Sequence, residues 1–433
     1  MVRRDFIGGM AAAAIASKGR SPGTPAGQGL PSDWRDAFPA LRQEINGKPL
    51  AYLDSAATTL RPQGVIDAIS SFYAQDNANP GGTLHTLARR ASAALEGARS
   101  AVASFLGAPD PLEVVFTRGT TEGLNLVANA WGRAHLEPGD EILIGMAEHS
   151  SNMLPWRYVA RATGARVVHF GVDAEGHPLL DDISAKLTPR TRIVAFSHVS
   201  NVLGMINPAR EICERARGPG RIVVIDGAQS VPHFPVNVRE IGCDFLACSS
   251  HKMLGPMGTG VLWGRRELLD AMDPYQVGSN MAHDVDLDSE HLSEGALKFS
   301  AGTPNVSGPV GLAAAIASLR GFGQDAITAH ERQVNRRMME RLAAIRGVRL
   351  LGSHDPDRRV SVFSLTVTGR APIDLVRAMD AEGIAIRAGD LASLPLLRHF
   401  GVSAAARASC YLYTSLADVD RFADVLERVA AAG

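Results

Sequence analysis

Residues 244–263 read DFLACSSHKMLGPMGTGVLW. Two short apolar runs, DFLACS and GVLW, flank a segment that holds Lys252 and a glycine-rich turn. Short runs rich in Val, Ile and Leu are typical of strands that are buried on both faces of a sheet. The stretch therefore predicts two buried strands that form an antiparallel edge hairpin, with a lysine just beyond the end of the first strand.

Similar apolar runs recur on the N-terminal side of this stretch, and two helical patterns lie between them. The strand-like runs are EVVF (113–116), EILIG (141–145), ARVVHF (165–170), RIVAFS (192–197) and RIVVID (221–226), and the helical ones are 121–136 and 207–217. This alternation predicts an α/β fold with a mostly parallel sheet, which we assign to a large domain over residues 33–310. Beyond it, the order of segments predicts a smaller α+β C-terminal domain over residues 311–433.

Composition limits the classes of function. The chain has 433 residues, a formal net charge of -1 and 45% hydrophobic residues, which is typical of a soluble globular protein with a large core. A net charge near zero argues against nucleic acid as the main partner, and no run of about 20 apolar residues predicts a membrane span. The cysteines lack the spacing of a metal site or a disulfide framework; they are Cys213, Cys243, Cys248 and Cys410.

The N-terminus resembles a targeting segment. It reads MVRRDFIGGMAAAAIASKGR, with Arg3 and Arg4 before a weakly apolar stretch and an A-x-A pattern at 14–16. This layout predicts a twin-arginine signal and linker over residues 1–26, and hence a periplasmic protein without membrane attachment once the signal is removed. If the paired arginines are a chance feature of a tail, the protein is cytoplasmic.

Polar residues follow five of the strand-like runs, at the ends where ligands bind in open α/β sheets. Gly119 and Thr120 open a helix whose free N–H groups can bind an anion. Asp226 ends the most apolar run, where a carboxylate is costly unless it meets a cation. Lys252 or a protonated ring nitrogen can supply that cation.

These parts together are the ones that pyridoxal 5'-phosphate requires. Lys252 would form a Schiff base with the aldehyde, and Asp226 would keep the pyridine nitrogen protonated. His149 would lie on the ring face and help to move protons. Ser249 and His251 would bind the phosphate.

The sequence resembles the class V aminotransferase family over residues 33–430, and within it the cysteine desulfurases and selenocysteine lyases. The matching stretches are YLDSAAT (52–58), FTRGTTEGLNLVAN (116–129), AEHSSNMLPW (147–156), HVSNVLGMINP (198–208), DGAQSVPH (226–233), SSHKMLGPMGTG (249–260), FSAGTPN (299–305), IAIRAG (384–389) and ARAS (406–409). This resemblance implies the fold type I of pyridoxal-phosphate enzymes and a homodimer that acts on a small amino acid or peptide substrate.

The same resemblance assigns roles by position. Lys252 and His149 would be catalytic, and Arg387 and Arg407 would bind the substrate, with Arg407 on its α-carboxylate. Thr303 would reach the phosphate held by the neighbouring subunit. The full set of cofactor-binding positions is Thr120, Thr121, Asn201, Asp226, Gln229, Ser249, His251 and Thr303.

The sequence departs from the family at the substrate end. Desulfurases carry sulfur as a persulfide on a loop cysteine that follows the IAxRxG strand, and here Ala392 stands in its place. A methyl group holds no persulfide. Cys410 lies farther along, inside the predicted strand ARASCYLYTS (406–415), and we do not expect it to substitute. Gly81 and Gly82 stand where the family has a His-Arg pair.

These departures leave several functions open. Our first hypothesis is an exported pyridoxal-phosphate enzyme that acts on the amino group of an amino acid or peptide, by transamination or by change at Cα. It is similar to exported family members that mature the siderophore pyoverdine. The alternatives are a cysteine desulfurase- or selenocysteine lyase-like C–S lyase without a persulfide carrier, and an amino acid epimerase like isopenicillin-N-epimerase. A cofactor-binding protein without catalysis is disfavoured because the lysine and its neighbours are all present.

Overall fold

The computed structural model of the chain describes residues 32–81 and 85–431. The predicted signal at residues 1–26 therefore lies outside the described residues. The α-helices are α1 (Ser32–Asp36), α2 (Gln63–Ser71), α3 (Thr86–Leu106), α4 (Thr120–Leu126), α5 (Arg133–His135), α6 (Leu154–Thr163), α7 (Leu180–Lys186), α8 (Ala209–Ala216), α9 (Val238–Ile241), α10 (Arg266–Ala271), α11 (Ser307–Phe322), α12 (Gln324–Ala344), α13 (Pro372–Ala381), α14 (Leu394–His399) and α15 (Leu416–Ala431). A π-helical turn, Val127–Gly132, joins α4 to α5.

The strands fall into one large sheet, one smaller sheet and three two-stranded pairs. They are β1 (Glu44–Ile45), β2 (Lys48–Pro49), β3 (Ala51–Tyr52), β4 (Val114–Thr117), β5 (Glu141–Gly145), β6 (Arg166–Phe170), β7 (Thr191–Ser197), β8 (Ile222–Asp226), β9 (Phe245–Ser249), β10 (Gly260–Gly264), β11 (Ala282–Val285), β12 (Glu290–Leu292), β13 (Val348–Leu350), β14 (Val362–Val367), β15 (Ile384–Ala385), β16 (Arg387–Gly389) and β17 (Ala405–Ser409).

The large sheet confirms the predicted α/β class. Its order is β4-β10-β9-β8-β7-β5-β6, and the five strands from β9 to β6 run parallel. β10 pairs antiparallel with β9, as the hairpin prediction required. The prediction was wrong in placing that hairpin at the edge, because β4 pairs antiparallel with the outer side of β10. β4 lies more than a hundred residues earlier, so no local pattern reveals this pairing.

Apolar side chains cover both faces of the large sheet. In β8, Val223 and Ile225 belong to one buried cluster, and Ile222 and Val224 belong to another on the opposite face. Successive strand residues point to opposite faces, so continuous apolar runs require a core on each side. This packing leaves only the strand ends free to carry polar groups, and it directs the functional side chains to one edge.

The smaller sheet has the order β13-β14-β17-β16 and is antiparallel. The predicted strand IAIRAG divides at Ile386: β15 pairs parallel with β3, whereas β16 pairs with β17. The predicted strand at 406–415 ends at Ser409, because hydrogen bonds between Tyr411 and Thr414 close a turn. Cys410 therefore follows the strand instead of lying within it.

The proposed division at residues 310 and 311 falls inside α11. This helix packs against α2 and α3 and contributes Leu312 and Ile316 to the core of the large sheet. Ala51 and Leu53, from the N-terminal part of the chain, lie in the core of the smaller sheet. The domain assignment itself stays a prediction. No helix within residues 32–81 and 85–431 combines the length and the apolar character of a membrane span.

One glycine sets how closely β10 approaches the start of α4. A Cβ atom on Gly260 would overlap the backbone of Gly119 and would lie 2.7 Å from the carbonyl oxygen of Cys248. We expect Gly260→Ala to lower the free energy of unfolding by about 1–3 kcal/mol, because the added methyl group forces strands apart. Thermal unfolding measures the effect.

Gly97 provides the matched control. It lies on the exposed side of α3, and a Cβ atom there meets nothing within 4 Å. Gly97→Ala should raise stability by about 0.5–1 kcal/mol, because alanine restricts the unfolded chain. Equal unfolding midpoints for the two variants would contradict this account of the β10 packing.

Candidate active site

A cavity of about 460 Å³ lies between the carboxyl ends of the parallel strands and the smaller sheet. The structure brings together in it every predicted site residue but one. These lining residues are Thr120, Thr121, His149, Asn201, Asp226, Gln229, Ser249, His251, Lys252, Arg387 and Arg407. Most of them lie at or after the ends of strands in the large sheet, whereas Arg387 and Arg407 come from the smaller sheet.

Lys252 and Asp226 supply opposite charges to the same cavity. Asp226 is the last residue of β8 and is 6% exposed, and its Oδ1 accepts a hydrogen bond of 2.9 Å from the N–H of Ala228. Burial raises the pKa of Asp226, although the Lys252 charge opposes that shift. Burial lowers the pKa of Lys252 to about 8, and the Arg407 and Arg387 charges contribute to the lowering. Within the described residues Lys252 has no hydrogen bond or salt bridge, so its amine is available to a ligand.

A candidate anion site lies at the first turn of α4. Ser249, at the end of β9, places its Oγ 2.8 Å from the N–H of Thr120 and 2.7 Å from its Oγ1. The Thr121 hydroxyl donates to Ser151 Oγ at 2.9 Å. First-turn N–H groups and hydroxyls favour phosphate. His251 lines the same cavity, and burial lowers its pKa to about 4, so at neutral pH its ring offers hydrogen bonds without a charge.

His149 presents a neutral ring to the cavity. Its Nδ1 accepts a hydrogen bond of 3.1 Å from the N–H of Ser151, which places the proton of the neutral ring on Nε2. Burial lowers the pKa of His149 to about 4, and the Lys252 and Arg407 charges add to the lowering. An uncharged imidazole in this position can stack on a flat ring and donate through Nε2.

Two arginines from the smaller sheet form the wall opposite the strand ends. Arg387 and Arg407 are directly paired across β16 and β17, where like charges repel. Asp54 relieves that repulsion: it accepts from Arg387 Nη2 at 3.0 Å and lies 3.5 Å from Arg407 Nη2. Arg407 is buried and donates through Nη1 to the carbonyl of Asn201 at 2.9 Å. Its Nε is buried without a partner in the described part of the chain, and the residue lines the cavity, where its charge can attract a carboxylate.

The loop after β16 closes the rim of the cavity. The N–H of Ser150 donates to the carbonyl of Ala392 at 2.7 Å, and Asn201 Nδ2 donates to the carbonyl of Leu391 at 2.8 Å. Ser393 donates back to Asn201 Oδ1 at 3.1 Å. Asn201, predicted to bind the cofactor, thus contacts this loop as well as lining the cavity. These bonds hold Ala392 at the cavity wall.

Sequence reasoning missed three acidic residues around the site, namely Asp54, Glu148 and Asp390. Glu148 is buried between Asn152 Nδ2 at 2.7 Å and Ser197 Oγ at 3.3 Å, and burial raises its pKa to about 8. Each acid follows a strand: Asp54 lies in YLDSAAT, Glu148 precedes His149, and Asp390 follows IAIRAG. Asp226 was identified as a carboxylate at the end of an apolar run, and the same search at the ends of the other strands could have identified these three.

The cysteines are buried and none of the four lines the cavity. Cys213, Cys243 and Cys248 belong to the core of the large sheet. Cys410 belongs to the core of the smaller sheet, and burial raises the pKa of its thiol. Within the described residues no group of three or more His, Cys, Asp or Glu side chains is arranged to hold a metal ion.

Thr303 is the predicted residue that the structure does not bring to this cavity. It lines a second cavity of about 550 Å³, together with Tyr275, Asn280 and Asn305. Its predicted contact with the phosphate of a neighbouring subunit, and the homodimer that this contact requires, stay predictions.

Comparisons with known proteins agree with this geometry. Residues 51–422 match the family model described as Aminotransferase class-V. A "Probable cysteine desulfurase" from Halalkalibacterium halodurans is 43% identical over 391 residues, which cover 90% of this chain and 96% of that protein. Another, from Mycolicibacterium paratuberculosis, is 43% identical over 92% of this chain and 58% of its own length. The crystal structure of a cysteine desulfurase from Escherichia coli is 38% identical, with a TM-score of 0.85 over 93% of this chain and 98% of that one.

The lowered pKa of Lys252 predicts how its amine reacts. The amine loses its proton as the pH rises through about 8, instead of near the ordinary value of 10.5. In the cofactor-free protein we expect acetylation of Lys252 to rise with a midpoint near pH 8, as measured by mass spectrometry of peptides. Exposed Lys48 serves as the control for the reagent. A midpoint for Lys252 near pH 10.5 would contradict the assigned environment.

Proposed function

The chain belongs to the aminotransferase class V family of pyridoxal 5'-phosphate-dependent enzymes, and from that premise we propose that it is a C–S lyase without a persulfide carrier. Its substrate would be cysteine or a cysteine-like amino acid. The similarity to cysteine desulfurases supports cleavage of a C–S bond. One observation carries the rest: the cavity has a lysine, an acid and an anion site, but no thiol.

The residues around the cavity fit the cofactor. Ser249 and the first turn of α4 suit its phosphate, while the buried carboxylate of Asp226 suits a protonated ring nitrogen. The amine of Lys252 has no hydrogen-bond partner among the described residues and can react with the aldehyde group. Gln229 and His149 line the same cavity. When bound, pyridoxal 5'-phosphate supplies an aldehyde that condenses with amines and a ring that withdraws electrons from Cα.

Each side chain has a defined part in this proposal. Arg407 binds the α-carboxylate of the substrate, which fixes the orientation of Cα. Lys252 would bind the aldehyde of the cofactor, and its Nζ would take the Cα proton of the substrate; its pKa of about 8 suits a base at neutral pH. Asp226 would hold a proton on the ring nitrogen through its negative charge. His149 would cover one face of the ring and exclude water from it.

The fate of sulfur follows from the missing thiol. A persulfide carrier must attack sulfur, and the methyl group of Ala392 has no electron pair for that attack. In elimination, the Cβ–S bond breaks with both electrons on sulfur, and no protein nucleophile is needed. Cysteine and water then give pyruvate, ammonia and sulfide. We therefore propose elimination instead of sulfur transfer to the protein.

The test compares the products formed by three forms of the loaded enzyme. Wild type should convert L-cysteine to equal amounts of pyruvate and sulfide without an added thiol. Lys252→Ala should lose at least about 10³-fold of this activity, because the proton-transfer base is gone. Ala392→Cys should gain alanine as a product and carry a persulfide on residue 392, detected by mass spectrometry.

Other products would identify the competing hypotheses. Alanine without pyruvate from the wild type would contradict elimination. Amine transfer to a 2-oxo acid with no sulfide would support the amine-modifying enzyme. Conversion of an L-amino acid to its D form would support the epimerase.

We also propose export of the folded, cofactor-loaded protein, on the sequence of residues 1–26 alone. Arg3→Lys combined with Arg4→Lys should leave the protein in the cytoplasm, because the transport machinery requires the arginine pair. Fractionation of cells that express the full chain measures this. A double variant that reaches the periplasm as the wild type does would contradict the proposal.

A further inference from the structure

The charges at the substrate end of the cavity are unevenly balanced. Asp54 accepts from Arg387 through Nε, at 3.2 Å to each carboxylate oxygen, and through Nη2 at 3.0 Å. That contact neutralises Arg387. Arg407 makes a longer contact with the same carboxylate, 3.5 Å from its Nη2 to Asp54 Oδ1. The buried Nε of Arg407 has no partner among the described residues. The end that would hold an α-carboxylate therefore has one guanidinium whose charge Asp54 offsets only in part.

Asp390 is the second unbalanced charge. It lines the cavity on the loop after β16 and is exposed to solvent, and it forms no salt bridge in the part of the chain that the structure describes. Its Oδ1 accepts from the N–H of Ala392 at 3.1 Å, which fixes the carboxylate to its own loop. Leu391, the next residue, is buried, so the loop is anchored. A fixed, unpaired carboxylate at the rim attracts a cation.

The separation of the two charges sets the length of a ligand that bridges them. Asp390 follows Arg387 by three residues, and Arg387 faces Arg407 across the strand pair. At about 3.3 Å per residue, the backbone of Asp390 lies roughly 10 Å along the strand direction from that arginine pair. Cysteine ends at its sulfur, only three bonds from its carboxylate carbon. A ligand that reaches Asp390 must continue beyond sulfur.

We propose that Asp390 is a specificity-determining residue that selects S-substituted cysteines whose substituent carries a positive charge. This inference rests on the proposed C–S lyase function and names its substrate class. The absent thiol then has a simple reason. When the Cβ–S bond breaks, both electrons stay on sulfur and the substituent leaves as a small thiol, so the sulfur needs no carrier.

The reaction balances without a further reactant. S-(2-aminoethyl)-L-cysteine and water give pyruvate, ammonia and 2-aminoethanethiol. The Cα proton moves to Lys252, and the departing sulfur takes up one proton. The ammonium group of the substituent is as many bonds from Cα as the side-chain amine of lysine, and it would face Asp390.

Binding tests the role of Asp390 apart from any lyase activity. L-Lysine, L-norleucine and L-2-aminoadipate have similar lengths and differ in the end charge, and none has a leaving group on Cβ. Titration of the holoenzyme, followed by the visible absorption of the cofactor, gives a dissociation constant for each. We expect wild type to bind lysine about five-fold more tightly than norleucine, as for one partly exposed ion pair, and aminoadipate more weakly than either.

Asp390→Asn separates charge from structure. Asparagine keeps the side-chain oxygen that accepts from the N–H of Ala392, so the loop should be preserved while the charge is lost. The preference for lysine over norleucine should disappear in this variant. Asp181→Asn, on the exposed surface of α7 away from the cavity, should keep it. An unchanged preference in Asp390→Asn, or no preference in the wild type, would overturn the inference.

Measurements of turnover distinguish the role of Asp390 from the proposed C–S lyase activity on which it rests. Wild type should cleave S-(2-aminoethyl)-L-cysteine with kcat/KM about five-fold above that for S-propyl-L-cysteine, and Asp390→Asn should make the two equal. Equal cleavage by the wild type overturns the role of Asp390 but keeps the lyase. No cleavage of these two or of L-cysteine, with the lysine preference intact in binding, overturns the lyase and keeps Asp390 as a determinant of ligand choice.

Discussion

The site depends on two opposite charges that the large sheet places in one cavity. Asp226 ends β8 and Lys252 follows the adjacent parallel strand β9, and burial shifts the pKa of each side chain toward its neutral form. Uncompensated buried charges are costly, so a fold that keeps them must gain from a ligand that satisfies both. A cofactor with a cationic ring nitrogen and an aldehyde does so. The apolar faces of β8 and β9 leave the strand ends as the only place for such groups.

The smaller sheet completes the site from the other side. It places Arg407 in the same cavity as Lys252, next to Arg387. Asp54 relieves the repulsion between the two arginines. This arrangement separates two tasks. In the proposed function the strand ends of the large sheet would hold the cofactor, whereas β16, β17 and the loop that follows β16 would select the amino acid. In that loop Ala392 and Asp390 line the cavity.

The sequence predicted the parts that depend on local pattern. The large-sheet strands fall within one residue of their predicted ends, because buried strands have continuous apolar runs. The cavity residues of the large sheet were predicted because polar groups beyond such runs converge at one edge, whereas Arg387 and Arg407 came from the family resemblance. The pairing of β4 with β10, the division of IAIRAG at Ile386 and the link from Asp54 to Arg387 depend on contacts between distant segments. No local periodicity encodes such contacts.

The central claim is that Lys252 holds the cofactor, with Asp226 at the ring nitrogen. The most direct measurement is borohydride treatment of the protein loaded with pyridoxal 5'-phosphate, followed by proteolysis and mass spectrometry. The account predicts that the added mass of the cofactor lies on the peptide that contains Lys252, and that Asp226→Ala weakens retention of the cofactor before reduction. Cofactor mass on Lys48, Lys186 or Lys298, with Lys252 unmodified, would contradict it.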